Sequence, residues 1–206
     1  MGKIAFNKNT LKKERDLLSL YESLLPSLDL KRRQLMIRFE RTKKDLNNQK
    51  NKLKQHIQTT GQELPMLANS KVDVSDMVEH YKVQTEEKNV LGVKLPKLEN
   101  ISYQIRDYSM LAKPHWVDFY VERLVQALEI RTQITILLEQ VRRLDKAVRV
   151  ITQRVNLFDK ILIPTRKKNI HKIRVYLGDM ERAAIIQAKI AKSRRKLDLD
   201  IIGERH

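Results

Sequence analysis

The stretch VRRLDKAVRVITQRVNLFDKIL, residues 141–162, decides the fold, because its apolar side chains recur in steps that alternate between three and four residues. Charged or amide-bearing residues fill ten of the fifteen positions between them. The members of this stripe are Val141, Leu144, Val148, Ile151, Val155, Phe158 and Leu162. So narrow a stripe matches the contact with one partner helix, and it predicts one half of a two-stranded coiled coil.

The N-terminal segment, residues 9–60, carries a matching repeat. Its apolar residues at intervals of seven are Leu11, Leu18, Leu25, Phe39, Leu46 and Leu53, and Arg32 is the exception. The companion positions begin as Tyr21, Leu28 and Leu35 and then turn polar at Thr42, Gln49 and His56. Pro26 has no amide hydrogen for the carbonyl four residues earlier, so we expect a bend or an interruption there.

The C-terminal segment, residues 115–196, is also helical in pattern, but its register changes along the chain. The stripe of residues 141–162 is followed by a gap of eight residues and then by Ile170, Ile173, Leu177, Met180 and Ala184. Two steps of four are a stutter, which locally unwinds a supercoil. Pro164 lies in this gap, and we expect a bend without a break.

The middle segment, residues 61–114, has a different character. β-Branched residues surround the polar run at 86–89, and alternation continues through Val90, Gly92, Lys94 and Pro96, which predicts a β-hairpin or small knob. Two long helices joined by a compact insertion run antiparallel if they pair. We therefore predict a mainly α fold, a long antiparallel two-helix coiled coil with a hairpin insertion and a tail at 197–206. This rod would have both termini near one end and the insertion near the other.

The chain is strongly basic, with 42 Lys and Arg against 25 Asp and Glu, a net charge of +17. Such a charge is compatible with nucleic acid, an anionic membrane or acidic proteins as partners. One basic cluster lies at residues 31–33, and the second comprises Lys189, Lys192, Arg194, Arg195 and Lys196. The second contains no aromatic residue for base stacking, and it equally fits a solvated helix end with cations near its carboxyl terminus. We therefore expect no nucleic acid as a partner.

No pattern in the chain indicates catalysis. There is no glycine-rich phosphate loop, the five histidines are isolated from one another, and cysteine is absent. We therefore predict a chain that is not an enzyme by itself and has no cofactor or metal. Its apolar runs are too short for a signal peptide or a membrane span, so we expect a cytoplasmic protein.

Three stretches resemble a known family, the D subunit of V-type and A-type rotary ATPases. LDLKRRQLMIRF (28–39) is similar to the basic part of the family's first helix, and NVLGVKLPKLE (89–99) resembles its middle motif, with Gly92 and Pro96 in place. QRVNLFDKILIPTRKKNIHKIRVYLGDMER (153–182) resembles its C-terminal signature. The matching residues in that last stretch are Arg154, Val155, Asn156, Pro164, Met180, Glu181 and Arg182.

The resemblance implies a central rotor shaft. The ends of the coiled coil would insert into a ring of catalytic and non-catalytic subunits (A and B type). The other end would hold the F subunit and stand on the funnel subunit (C/d type), so that contact with the membrane is indirect. ATP hydrolysis or synthesis would then be coupled to H⁺ or Na⁺ movement. Among the candidate contacts at the bearing end are Lys192, Arg194, Arg195 and Lys196.

Two alternatives of other classes remain open on the sequence. A basic helical scaffold would bind nucleic acid or anionic membrane in a salt-sensitive way. A cytoskeletal coiled coil would form a parallel homodimer, whereas the predicted fold pairs two helices of one chain.

Overall fold

The computed structural model describes residues 5–68, 77–107 and 114–203, without the side chains of Ala68, His80 and residues 195–203. The chain divides into two compact units. Unit 1 consists of Met1–Asp29 and Gln153–His206, and unit 2 consists of Leu30–Thr152.

Helix α1 spans Lys8–Glu63. It starts there because the side chain of Asn7 caps it: the Thr10 amide donates to Asn7 Oδ1 over 2.6 Å. Every position of the 3-4 repeat between residues 11 and 60 is buried or half-buried, including the polar ones. Of the bend or interruption expected at Pro26, the interruption is absent, since α1 continues through this residue. Pro26 is exposed, so its ring lies off the seam and the carbonyl that it leaves unbonded has access to water.

The predicted β-hairpin is present in unit 2. Strand β1, Val78–Val90, pairs antiparallel with strand β2, Val93–Ile105, with register irregularities near residues 79–82 and 84–85. The chain reverses at Leu91 and Gly92, whose φ angles of 55° and 83° are both positive. Two positive φ values in a two-residue loop match the turn that suits the twist of paired strands. The polar run at 86–89 lies inside β1.

The C-terminal helical region continues through Pro164 and is divided by a π turn. Helix α2 spans Trp116–Leu157, the π turn Phe158–Leu162, and helix α3 Ile163–Gly203. In the π turn the Ile163 amide donates to the Phe158 carbonyl, five residues back. A regular 3-4 repeat returns to the same face of the helix every seven residues, whereas the sequence shows a spacing of eight. The wider turn takes up the extra residue, so that the apolar residues after it stay on the same face of the helix as those before it. The helix therefore passes Pro164 unbroken, as expected.

In unit 1 the helices pair antiparallel. The rings of Phe6 and Tyr176 lie 5.1 Å apart, and those of Tyr21 and Phe158 lie 5.3 Å apart, so that later residues of α1 meet earlier ones of the C-terminal region. The core of this unit comprises Val155, Ile163, Ile170 and Ile173.

In unit 2 the end of α1 meets the start of α2, where His56 Nε2 lies 2.9 Å from the carbonyl oxygen of Arg123. The core here comprises Leu35, Leu46, Leu64, Met77, Leu95, Val117, Val121, Val125, Ile134, Leu144 and Ile151. The predicted fold class, paired antiparallel helices with a hairpin insertion, is confirmed. In the part of the chain that the structure describes, no helix has a segment both long and apolar enough to cross a bilayer.

Candidate functional site

The predicted seam residues of unit 1 lie between its helices. Val155 is buried, and the other members are half-buried: Leu11, Leu18, Leu25, Phe158 and Leu162. Phe158 stacks edge-on against Tyr21, one of the companion positions. Beyond Leu177 the repeat continues in sequence, but Met180 and Ala184 are exposed. The reason is that α1 begins at Lys8, whose ammonium contacts Glu181, so that no described residue of α1 covers the following turns of α3.

The predicted seam residues of unit 2 alternate between buried and half-buried positions. Leu46, Leu144 and Ile151 are buried, whereas Phe39, Leu53, Val141 and Val148 are half-buried. Two of the polar companion positions have hydrogen-bond partners. Thr42 is 2% exposed and donates its hydroxyl to the Arg38 carbonyl, and His56 contacts the Arg123 carbonyl. A hydroxyl bonded within its own helix can be buried at modest cost.

The hairpin motif holds the turn and attaches β2 to α2. Gly92 has the positive φ of the turn, and its amide donates to Asn89 Oδ1 over 2.9 Å. Pro96 accepts a hydrogen bond on its carbonyl oxygen from Gln140 Nε2 over 2.6 Å. A proline fits this strand because β2 is paired on one side only and needs no amide donor on the other.

Arg143 is a second attachment point, and sequence reasoning missed it. Its guanidinium Nη1 donates to Glu87 Oε1 over 3.0 Å and to the Lys94 carbonyl over 2.9 Å, which joins both strands to α2. Its Nε also donates to Glu139 of the same helix. The hydrogen bonds with Glu139 and Glu87 raise the pKa of the Arg143 guanidinium above its ordinary value. Only the fork of an arginine can reach three acceptors in this way.

The C-terminal motif residues have separate surroundings. Arg154 and Asn156 are exposed on either side of buried Val155, and Pro164 is half-buried directly after the π turn. Met180 is 55% exposed. Glu181 contacts Lys8 over 3.7 Å, and Arg182 contacts Asp179 over 3.6 Å. The structure therefore does not gather these residues into one pocket.

The basic cluster near the end of α3 is exposed as far as it is described. Lys192 and Arg194 are exposed, and the side chains of Arg195 and Lys196 lie outside the described residues. The apolar residues just before them are exposed as well, with Ile185 and Ile186 each 57% accessible and Ile190 49%. This part of α3 thus presents both branched apolar and cationic side chains to its surroundings.

A polar cluster inside the seam of unit 1 also escaped the sequence. Glu14 is 8% exposed; its Oε1 accepts from Arg166 Nη1 over 2.8 Å and its Oε2 from Asn169 Nδ2 over 3.2 Å. Glu14 occupies a seam position, three residues after Leu11 and four before Leu18. An acidic residue at a seam position was the one sign of this cluster in the sequence. The partners of Glu14 could not be read from it, because they lie more than 150 residues further along the chain.

The arrangement of the described side chains holds helices and strands together. Across the described ranges, no three histidine or acidic side chains lie together in a way that could hold a metal ion. The contacts found are instead those that fix one element against another: ring pairs, ion pairs across the seam and the hairpin attachment.

Comparison with known proteins identifies the family. The profile of the family described as the D subunit of ATP synthase matches residues 10–193. The V-type ATP synthase D subunit of Borreliella burgdorferi is 37% identical over 196 residues, which covers 94% of this chain and 95% of that protein. The protein of the same name from Chlamydia abortus is 29% identical, with 94% of each chain covered. The chain belongs to the family of ATP synthase D subunits.

Proposed function

We propose that this chain is the central-stalk rotor of a V/A-type rotary ATPase. It transmits torque between a ring of A- and B-type subunits, where ATP is hydrolysed or made, and a membrane ring that moves H⁺ or Na⁺. The chain itself is non-catalytic and lies on the cytoplasmic side, peripheral to the membrane. Membership of the D-subunit family over residues 10–193 is the observation that carries the proposal.

The helix contacts support a mechanical role. The 3-4 repeat of α1 keeps one face toward its partners at every step between residues 11 and 60. Knobs that interlock along such a seam resist sliding of one helix past the other, and a paired helix is more stable than a single helix of the same sequence. A subunit that transmits torque needs both properties.

The exposed part of α3 is the proposed contact with the ring. After Glu181 the described side chains of α3 are all exposed, up to Arg194. Exposed isoleucines beside lysine and arginine suit a surface that contacts a partner through apolar area and acidic groups. Under this proposal Arg195 and Lys196 extend the same surface, and the F subunit and the funnel subunit contact other parts of the chain.

Purification from native membranes tests the assignment. A tagged copy of the chain should bring the ATP-hydrolysing ring subunits with it in stoichiometric amounts. Isolation of the tagged chain without them, from membranes whose ATPase activity is intact, would contradict the assignment.

Charge reversal tests the contact surface. Replacing Lys192, Arg194, Arg195 and Lys196 by glutamate should lower coupled ion transport, because the substituted residues would repel acidic partner groups. The matched control replaces four exposed lysines of α1, Lys44, Lys50, Lys52 and Lys54, in the same way. Equal transport and rotation rates in the parent, the variant and the control would remove this surface from the proposal.

A further inference from the structure

The seam of unit 1 contains a charged side chain at a position where the repeat calls for an apolar one. Glu14 has both carboxylate oxygens in use, one toward Arg166 and one toward Asn169. The Glu14 side chain is 10% exposed and that of Arg166 26%. Apolar seam residues flank the pair on α3, with Ile163 and Ile170 both buried. We call Glu14, Arg166 and Asn169 the seam clamp.

Stability alone does not explain the seam clamp. Desolvation of two charges offsets most of their attraction, so apolar replacement of a buried ion pair is often neutral or stabilising. A leucine at position 14 would continue the spacing of Leu11 and Leu18 without this cost. The exposed pair Lys167 and Glu22, 2.9 Å apart on the same two elements, shows that a salt bridge between these helices does not require burial.

Within unit 1, the apolar part of the seam does not select one alignment by itself. Leu11, Leu18 and Leu25 repeat every seven residues. If α1 shifted by seven residues along its axis, each leucine would therefore reach the level on α3 that a neighbouring leucine occupied before. On α3 the residue seven beyond Leu177 is Ala184, which is exposed and available to receive Leu11. A shift of this size corresponds to about 10 Å along the helix.

The seam clamp distinguishes these alignments. In the observed one Glu14 meets Arg166. One heptad further along α3, Ile173 would replace Arg166 and Tyr176 would replace Asn169, so that the buried carboxylate would lose its cationic partner. One heptad in the other direction it would meet Asp159, a like charge. Both alternatives carry a large penalty, since an unpaired or repelled buried charge costs far more than a lost apolar contact.

We propose that the seam clamp sets the axial register of α1 against the helical segment that follows Pro164. Glu14 is a positioning residue in this sense: it acts through Arg166 and Asn169, and it excludes the neighbouring heptad alignments. The apolar seam supplies the adhesion, and the clamp supplies the alignment.

Disulfide-type crosslinking in the full chain measures the register directly. The chain has no cysteine, so introduced pairs are unambiguous. Leu11 and Leu177 line one groove, and cysteines at these positions should join through a short thiol crosslinker. Cysteines at positions 11 and 184 should join poorly. In the background E14L/R166L, we expect the ratio of the 11–184 product to the 11–177 product to rise about fivefold or more, because an apolar pair no longer excludes the shifted alignment.

Two further variants make the result decisive. The control E22L/K167L removes the exposed ion pair on the same elements and should leave the product ratio unchanged. The exchange E14R/R166E restores opposite charges and should return the ratio to the parent value, even if E14L/R166L does not fold. The proposal is overturned if E14L/R166L gives the ratio of the control, or if the ratio of the exchange variant stays as high as that of E14L/R166L.

A second measurement separates alignment from adhesion. The Tm of E14L/R166L should be equal to or above that of the parent, whereas a merely stabilising ion pair would require a fall. In the assembled complex the same variant should lose coupled ion transport, a consequence that rests on the proposed function. If the crosslink ratio rises and transport does not change, the rotor assignment is at fault and the register assignment stands.

Discussion

The substitution Leu144→Ala tests whether the stripe at residues 141–162 is the core of unit 2. Leu144 is 0% exposed, and it is the second residue of the stripe. Alanine removes three carbon atoms from this position. Lost burial of these atoms amounts to about 2.4 kcal/mol at about 0.8 kcal/mol per carbon. The remaining cavity adds to this value, so we expect the free energy of unfolding to fall by about 2.5–4 kcal/mol.

Urea denaturation, monitored by tryptophan fluorescence, measures this loss of stability in unit 2. Trp116, the single tryptophan, packs against the buried cluster of Met77, Val117 and Val121 in unit 2, where Leu144 also lies. For a urea dependence of about 2 kcal/mol per M, the midpoint should fall by about 1.2–2 M.

Leu138→Ala is the matched control, since it removes the same atoms from the same helix. Leu138 is 45% exposed, and we expect its midpoint to shift by less than about 0.5 M. Similar shifts for the two variants would show that the stripe is not the buried face of α2, and the whole assignment of the seam in this unit would then be wrong.

The hairpin allows further tests by the same denaturation assay and by amide exchange. Leu91→Asn should raise the free energy of unfolding by about 0.5–1 kcal/mol, because asparagine tolerates the positive φ better than leucine. Gly92→Ala should lower the free energy of unfolding by about 1–2 kcal/mol, because alanine is strained at a φ of 83°. A loss on Leu91→Asn would mean that the leucine side chain stabilises the fold by packing. Arg143→Met keeps the aliphatic stem but removes the donors to Glu87 and to the Lys94 carbonyl, so amide exchange in β2 should accelerate about 5-fold or more. Unchanged exchange would show that Gln140 alone is sufficient to hold the strand.

The helices and their buried faces could be predicted from the sequence because the periodicity of the seam is a local property. Leu46 and Leu144 are buried, as a 3-4 repeat requires, whatever the partner. The outcome at Pro26 was not predictable in the same way. Its effect depends on which side of α1 the ring faces, and an exposed ring leaves the seam intact.

Pairs between distant residues could not be predicted, since they depend on an alignment that no local pattern contains. Glu14 was visible as an acid in the seam, but Arg166 becomes its partner only once the two helices are set side by side. Arg143 carries no sequence signal for the hairpin, because its acceptors include a backbone carbonyl. The C-terminal signature indicated the family, although Arg154 and Asn156 are exposed and the fold gives them no place in the buried seam.

The π turn shows why an irregularity can be necessary for a regular seam. An α-helix turns by about 100° per residue, so replacing the π turn by a regular α-helical turn would rotate everything after it by about that angle. Each seam position of α3 would then be taken by the residue before it. Lys172 would replace Ile173, and Asn169 would replace Ile170, which would bury polar groups in the place of two buried isoleucines. The wide turn before Pro164 therefore keeps one apolar face directed at α1 across a stretch where the sequence spacing alone would turn it away.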